Sequence, residues 1–230
     1  PFPDNIQTLE DLIEYGKSNK FVGFNGQCVR AYILLKLLEL YSVDLFVETG
    51  TRFAHTTDYV RRAFDLNVHS CEIYICHYLN AKMNLFWTSG VSVFFGSSPD
   101  FLRKIASESP PGSNPLFYLG AHDYVSSPIH EELEIIAENY ESATIVIDDF
   151  FIPSDPTFHY DQYPEMRLDL DVIYGPMKIH RTDIQVYLPS YDPSLETGPG
   201  GVPRGMAVVL MGPPKELPSE KFPFNLLKSV

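Results

Sequence analysis

The sequence predicts a single α/β domain whose mostly parallel sheet carries helices on both faces. Three observations point to it. Short apolar runs of strand length alternate with segments of helical periodicity, the pattern of βαβ units. The first of those runs ends in a carboxylate and a glycine, as strands leading into ligand loops do. Two apolar runs finish the chain and pair as an antiparallel edge. At 230 residues the chain suits one substantial domain, taken as 1–230, rather than two.

In chain order, residues 1–42 hold two leading helices, Thr8 to Gly16 and Gln27 to Tyr41, with Leu34, Leu37, Leu38 and Tyr41 on one stripe. Val43 to Glu48 is the first strand. Helix Thr56–Phe64, strand Asn67–Glu72, helix Tyr74–Phe86, strand Val91–Phe95 and helix Ser98–Ser107 continue the alternation. Strands Leu116–Leu119 and Ala143–Ile147 flank a helix over Ile129–Asn139, and strands Ile184–Leu188 and Met206–Leu210 close the chain. Residues 150–183 shift to Pro, Asp, Tyr and Phe, and Pro153, Pro156, Pro164 and Pro176 are expected to cut any long helix there. This segment and a Gly/Pro-rich loop over 189–205 are expected to wall or cover a pocket.

A net charge of −13 argues against a nucleic-acid partner, because a phosphate-binding surface needs dense Lys and Arg. No apolar run reaches membrane-span length; Lys36 and Glu39 interrupt the richest stretch. No membrane association is expected. Cys28, Cys71 and Cys76 are odd in number and lack zinc-site spacing, so reduced thiols in a cytoplasmic protein are the expectation. The sequence begins at Pro1, which leaves open an upstream segment.

The chemistry concentrates at the strand exits. In Glu48-Thr49-Gly50-Thr51-Arg52-Phe53-Ala54, Gly50 allows a tight turn and a close approach to a ligand, and Thr56 or Thr57 caps the helix that follows. Glu72 ends the second strand, about 20 residues further on, where the hydroxyl pair of a ribose seeks a carboxylate. Loop and acid together indicate an adenosine-type ligand. The loop is not the tighter Gly-x-Gly-x-x-Gly of nicotinamide-dependent oxidoreductases, which disfavours that class.

With Gly96-Ser97-Ser98 after the third strand and Ile147-Asp148-Asp149-Phe150 after the fifth, the set resembles class I methyltransferases that use S-adenosylmethionine (SAM). The likeness is nearest to bacterial small-molecule enzymes of the macrocin O-methyltransferase kind, and to relatives with Leu-Asp-Ala-His and Ile-Asp-Asp-Phe elements. It runs from about Val43 to Pro153, with a looser likeness in Glu196-Thr197-Gly198. The resemblance implies a Rossmann-like methyltransferase sandwich with a seven-stranded sheet, a cofactor-binding core over 43–150, and acceptor-site or lid loops over 150–183 and 189–205. Glu48, Gly50 and Thr51 would lie along the methionine part of SAM, Glu72 would bind the ribose, and Gly96 with Ser97 would lie beside the adenine. The implied activity is methyl transfer to O or N of a small-molecule acceptor.

Position 120 departs from that pattern, since the relatives carry Asp where this chain has Gly120 in Leu119-Gly120-Ala121-His122-Asp123. In the family this carboxylate joins the two after strand five in holding Mg2+ or a similar ion. Three readings stay open. Asp148 and Asp149 still hold a metal with His122, Asp123 and water; His122 and Asp149 act catalytically without a metal, His122 as general base; or the chain is a catalytically silent SAM-binding protein. His55, His77, His159 and His180 rank lower, and Phe151, Phe158, Tyr160, Tyr163 and Tyr174 are expected either to line an acceptor wall or to hold the long loop down. The edge strands and leading helices offer surfaces for a homodimer.

Overall fold

The computed structural model describes residues 9–18, 23–123, 125–196, 202–213, 217 and 226–230. Its strands are β1 (Leu45–Thr49), β2 (Asn67–Glu72), β3 (Val91–Phe95), β4 (Pro115–Leu119), β5 (Ala143–Asp148), β6 (Ile184–Pro189), β7 (Met206–Met211) and β8 (Leu227–Ser229). The helices are α1 (Leu9–Ser18), α2 (Cys28–Leu40), α3 (His55–Ala63), α4 (Ile75–Asn84), α5 (Ser98–Glu108), α6 (Ile129–Asn139) and α7 (Leu170–His180). Among the described residues no helix is long and apolar enough to cross a membrane.

The strand order is β3-β2-β1-β4-β5-β7-β6-β8, with β1 to β5 parallel and β7 antiparallel to both β5 and β6. Strand composition tracks position. The continuous apolar runs of β4, β5 and β7 are buried along their whole length in the middle of the sheet, whereas β3, at one edge, is half-exposed. From β1 the chain winds outward to β3, then returns to β4 on the other side of β1. Right-handed crossovers therefore put helices on both faces and open a crevice beyond the carboxyl ends of β1 and β4.

Two expectations are corrected. The sheet has eight strands, because the three-residue β8 pairs antiparallel with β6; so short a strand carries no readable periodicity. Residues 150–183 are not loop throughout, since α7 forms despite Pro176. Asp169 caps it by accepting from the Asp171 amide at 3.1 Å, and Val172, Ile173 and Met177 are buried in the core. That burial outweighs the one helical hydrogen bond that Pro176 removes. Thr197 and Gly198 lie outside the described residues.

Helix α2 is buried nearly all round, and it carries Arg30, which is wholly buried, into the core. An ion of that kind needs a counter-charge and acceptors. For its two terminal nitrogens they come from the floor of the crevice, while its Nε meets no partner among the described residues.

Candidate active site

The β1 exit is built largely by its own neighbours. Gly50 has φ +85°, and a Cβ there would stand 2.8 Å from the Gly120 carbonyl oxygen, so only glycine fits where the β1 and β4 exits touch. The amides of Gly50 and Thr51 both donate to the Cys71 carbonyl, at 3.1 and 2.9 Å, and the Thr51 hydroxyl turns inward to the same oxygen. These groups hold the loop onto β2. The next amide, of Arg52, donates to Glu72 Oε2 at 2.9 Å, and that of Tyr74 donates to Oε1 at 2.8 Å. Glu72 is thus aimed by two backbone donors, and a carboxylate so held keeps further lone pairs for a diol.

Glu48 lies beneath the loop, buried, with the hydroxyls of Thr57 and Ser70 donating to it. Burial pushes its carboxyl up to about 8 against those hydroxyls. Gly96 donates its amide to the Glu72 carbonyl at 3.1 Å, and Ser97 caps α5 by accepting from the Asp100 amide. Phe53, Tyr74 and His77 form an aromatic fringe around Glu72, with His77 Nδ1 3.9 Å from Oε2. Glu48, Gly50, Thr51, Glu72, Gly96 and Ser97 therefore gather at the ends of β1, β2 and β3.

The β4 and β5 exits are built from distant pieces. Arg30 forms an ion pair with Asp148 Oδ1, and the Tyr118 hydroxyl donates to Asp148 Oδ2 at 2.7 Å. Burial pushes the Asp148 carboxyl up, but the Arg30 guanidinium and the Tyr118 hydroxyl outweigh it and hold the group below its ordinary range. The other terminal nitrogen of Arg30 donates to the carbonyls of Arg204 and Gly205 at 2.6 and 3.2 Å. Glu196 accepts from the amides of Val29 and Arg30, at the start of α2. The leading helix and the late loop are fastened together under the crevice.

Asp149, at φ +55°, is buried, and burial with the adjacent Asp148 pushes its carboxyl up to about 8. Arg204 Nη1 lies 2.9 Å from Asp149 Oδ1 and 3.0 Å from Asp161 Oδ1. His122 points its Nδ1 at Asp161 Oδ2, 3.5 Å away, and its Nε2 at Asp149 Oδ2, 4.0 Å away. Asp123 turns aside to accept from the amides of Val125 and Ser126, which lower its carboxyl. Behind these groups a cavity of about 10 Å3, lined in part by His122, Asp148, Asp149 and Glu132, has room for one water. Glu132 is wholly buried, and burial pushes its carboxyl up to about 7 against the Ser98 and Thr49 hydroxyls.

A hard divalent ion would take oxygen ligands from several carboxylates. Gly120 offers none, Arg30 and Tyr118 take the two oxygens of Asp148, and the Arg204 guanidinium lies against Asp149 and Asp161. His122, Asp149 and Asp161 do bring ligand atoms within 4.8 Å of one another, but around a cation already in place. The residues present do not fit Mg2+.

Sequence reasoning missed Arg30, Asp161, Arg204 and Glu132. A signal existed for Arg30, a charge within the otherwise apolar run Cys28 to Leu35. None marked Asp161 or Arg204. Of the aromatic residues proposed for an acceptor wall, Phe158 and Tyr163 are buried and hold the loop down. Phe151 packs edge-on with Tyr160 beneath Arg167, 4.1 Å from its ring centre. His159 pairs through its backbone with the Arg204 segment, and His180 lies 3.8 Å from Glu134 on α6.

No family model and no curated protein matches the chain. Among solved structures it is similar to an O-methyltransferase from Bacillus cereus in complex with SAH, at 15% identity and TM-score 0.56, over 91% of this chain and 92% of that one. It is also similar to the O-methyltransferase TomG from Streptomyces achromogenes, involved in tomaymycin synthesis and solved with SAM, at 17% identity and TM-score 0.53 over 81% of each chain. Precorrin 8w decarboxylase from Methanobacterium thermoautotrophicum matches at 12% identity and TM-score 0.51, over 84% of this chain and 97% of that one. The chain thus has the Rossmann-like fold of class I SAM-dependent methyltransferases. Because one scaffold hosts more than one chemistry, function has to be argued from the site.

Proposed function

We propose that this protein transfers the methyl group of SAM to an oxygen, or alternatively a nitrogen, of a small-molecule acceptor, without a metal ion. The observation that carries the reading is the convergence of His122, Asp149 and Asp161 at the exits of β4 and β5, beside the loop that aims Glu72. SAM fits the β1 side, since Glu72 keeps lone pairs for ribose hydroxyls and Gly50 keeps the loop close to the β4 exit. Glu48 and Thr51 support the loop from below, and Gly96 with Ser97 border the adenine. When bound, SAM supplies an electrophilic methyl on a sulfonium.

The residues of the chain position the acceptor and take its proton. Asp161 beside Nδ1 favours the tautomer that leaves the Nε2 lone pair free. An acceptor hydroxyl placed between Nε2 and Asp149 then loses its proton to His122 as its oxygen bonds the methyl carbon and the carbon–sulfur bond breaks. The products are the methylated acceptor, SAH and an imidazolium, which releases its proton to solvent through the exposed edge of His122. The 4.0 Å gap between Nε2 and Asp149 admits an oxygen within hydrogen-bond reach of both, and the 3.5 Å separation of Nδ1 from Asp161 is of the length common before substrate binds. Much of the rate then comes from holding nucleophile and methyl in line.

Calorimetry with SAM and SAH tests the binding half; no heat from folded protein overturns it. Conversion of SAM to SAH over a panel of phenolic, sugar and polyketide-type acceptors, in EDTA, tests the rest. His122→Ala is expected to lower turnover by roughly 100-fold or more with SAM affinity unchanged. A second reading, a silent SAM-binding protein, is favoured by Gly120 alone; binding with no turnover on any acceptor supports it. We place the protein in the cytoplasm because its three cysteines, Cys28, Cys71 and Cys76, are odd in number and lack the spacing of a structural zinc site.

A further inference from the structure

Helix α4 is turned inside out. Its only buried residue is Ala81, which packs with Leu85 and Ala54 in a small cluster against the sheet. Its large apolar side chains face outward. Ile75, Leu79 and Met83 recur at four-residue spacing, and Phe86 and Trp87 in the following turn extend the stripe. Met83 is 74% exposed, Phe86 72% and Trp87 89%, and Ile73 and Tyr74 widen the patch towards Glu72.

Scaled by the roughly 150–250 Å2 that a whole aromatic side chain presents, these seven residues leave on the order of 800 Å2 open. Lone monomers rarely show a contiguous apolar patch of that size. It equals one partner's share, about 800 Å2, of an ordinary protein–protein interface.

We infer that α4 and its following turn form the interface of a homodimer, in which two copies pair their Ile75–Trp87 stripes antiparallel about a two-fold axis near Leu79. Charge argues for a second copy. The chain carries 30 acidic residues, yet from Ile73 to Pro99 there is no Asp or Glu. Two bodies of charge −13 can meet there with few carboxylates opposed, since Asp58, which borders the patch by accepting from Thr88, is paired with Arg62. Composition argues for a protein partner over a lipid surface. Trp, Phe, Tyr and Met are the residues enriched at protein interfaces, whereas a helix lying on a membrane is rich in Lys and Arg on its polar face and α4 has only Lys82. A stripe running straight along one short helix is also self-complementary under two-fold rotation.

The test uses the whole chain and its single tryptophan. Sedimentation across a dilution series should show a dimer that dissociates, with Trp87 emission moving to the red in step. Leu79→Glu and Met83→Glu, both at exposed positions, should each raise the dimer dissociation constant at least tenfold, without lowering the Tm at dilutions where the parent is also monomeric. A chain that stays monomeric at high concentration with unchanged Trp87 emission overturns the inference, as does a dimer that survives both substitutions. A monomer whose Trp87 emission shifts to the blue only on phosphatidylserine vesicles overturns it in favour of a membrane surface.

Discussion

On the β1–β2 side of the crevice, polar contacts join near neighbours in sequence: Thr57 reaches Glu48 nine positions away, and Thr51 and Arg52 reach Cys71 and Glu72 twenty positions away. On the β4–β5 side, Arg30 reaches Asp148 across 118 positions and Arg204 reaches Asp161 across 43. The first side is a strand–loop–strand unit that carries its own geometry. The second is a junction of α2, the two strand exits and two late loops, held by buried charge. A junction of that kind, with no carboxylate at Gly120, is filled by charge brought from distant elements.

The largest expected effect tests that junction. Arg30→Ala leaves Asp148 buried without a counter-ion and should cost about 3–5 kcal/mol in a denaturant titration. A loss under 1 kcal/mol would mean that Asp148 draws on solvent. Next comes Glu132, whose carboxyl stands at about 7 in the fold against an ordinary 4.5. The folded form keeps the proton that the unfolded chain releases, so stability is full below about pH 4.5 and falls as pH rises through 7. That loss is about 3 kcal/mol, and Glu132→Gln should remove it, seen as a smaller difference in urea midpoint between pH 5 and pH 8 than in the parent.

On the other side, Glu72→Ala should weaken SAM binding by about 10- to 100-fold in calorimetry, through a lost charge-assisted bond of about 1.5–3 kcal/mol. An unchanged affinity would place the ribose elsewhere. The smallest effect belongs to Gly120→Asp. A Cβ there meets nothing nearer than 3.5 Å, so stability should change by about 1 kcal/mol. With Asp148 tied to Arg30 and Asp149 beside Arg204, the extra carboxylate should confer no Mg2+ dependence on turnover. A gain in activity with Mg2+ would show that these guanidinium pairs yield readily.

The core architecture was written in local pattern. Apolar runs of strand length, the periodicity of the intervening segments, Gly50 and Glu72 pointed to the mostly parallel sheet and, in our reading, to the adenosine side of the crevice, because each rests on interactions within one βαβ unit. Helix α7 escaped notice, since Pro176 is a strong local signal and the burial of Val172, Ile173 and Met177 that overrides it is tertiary. The outward face of α4 was hidden for a related reason, as periodicity locates an apolar stripe but not the side that meets the sheet.

Asp148 and Asp149 were legible as a pair of acids at a strand exit; their separation into one held ionised by Arg30 and one pushed up to about 8 was not. Local sequence thus pointed to the loop that we read as receiving SAM, whose partners lie one βαβ unit away. The charge state of the opposite wall waited on the tertiary structure. Burial and the approach of Arg30 and Arg204 act through space at a few ångströms, and no spacing along the chain encodes them.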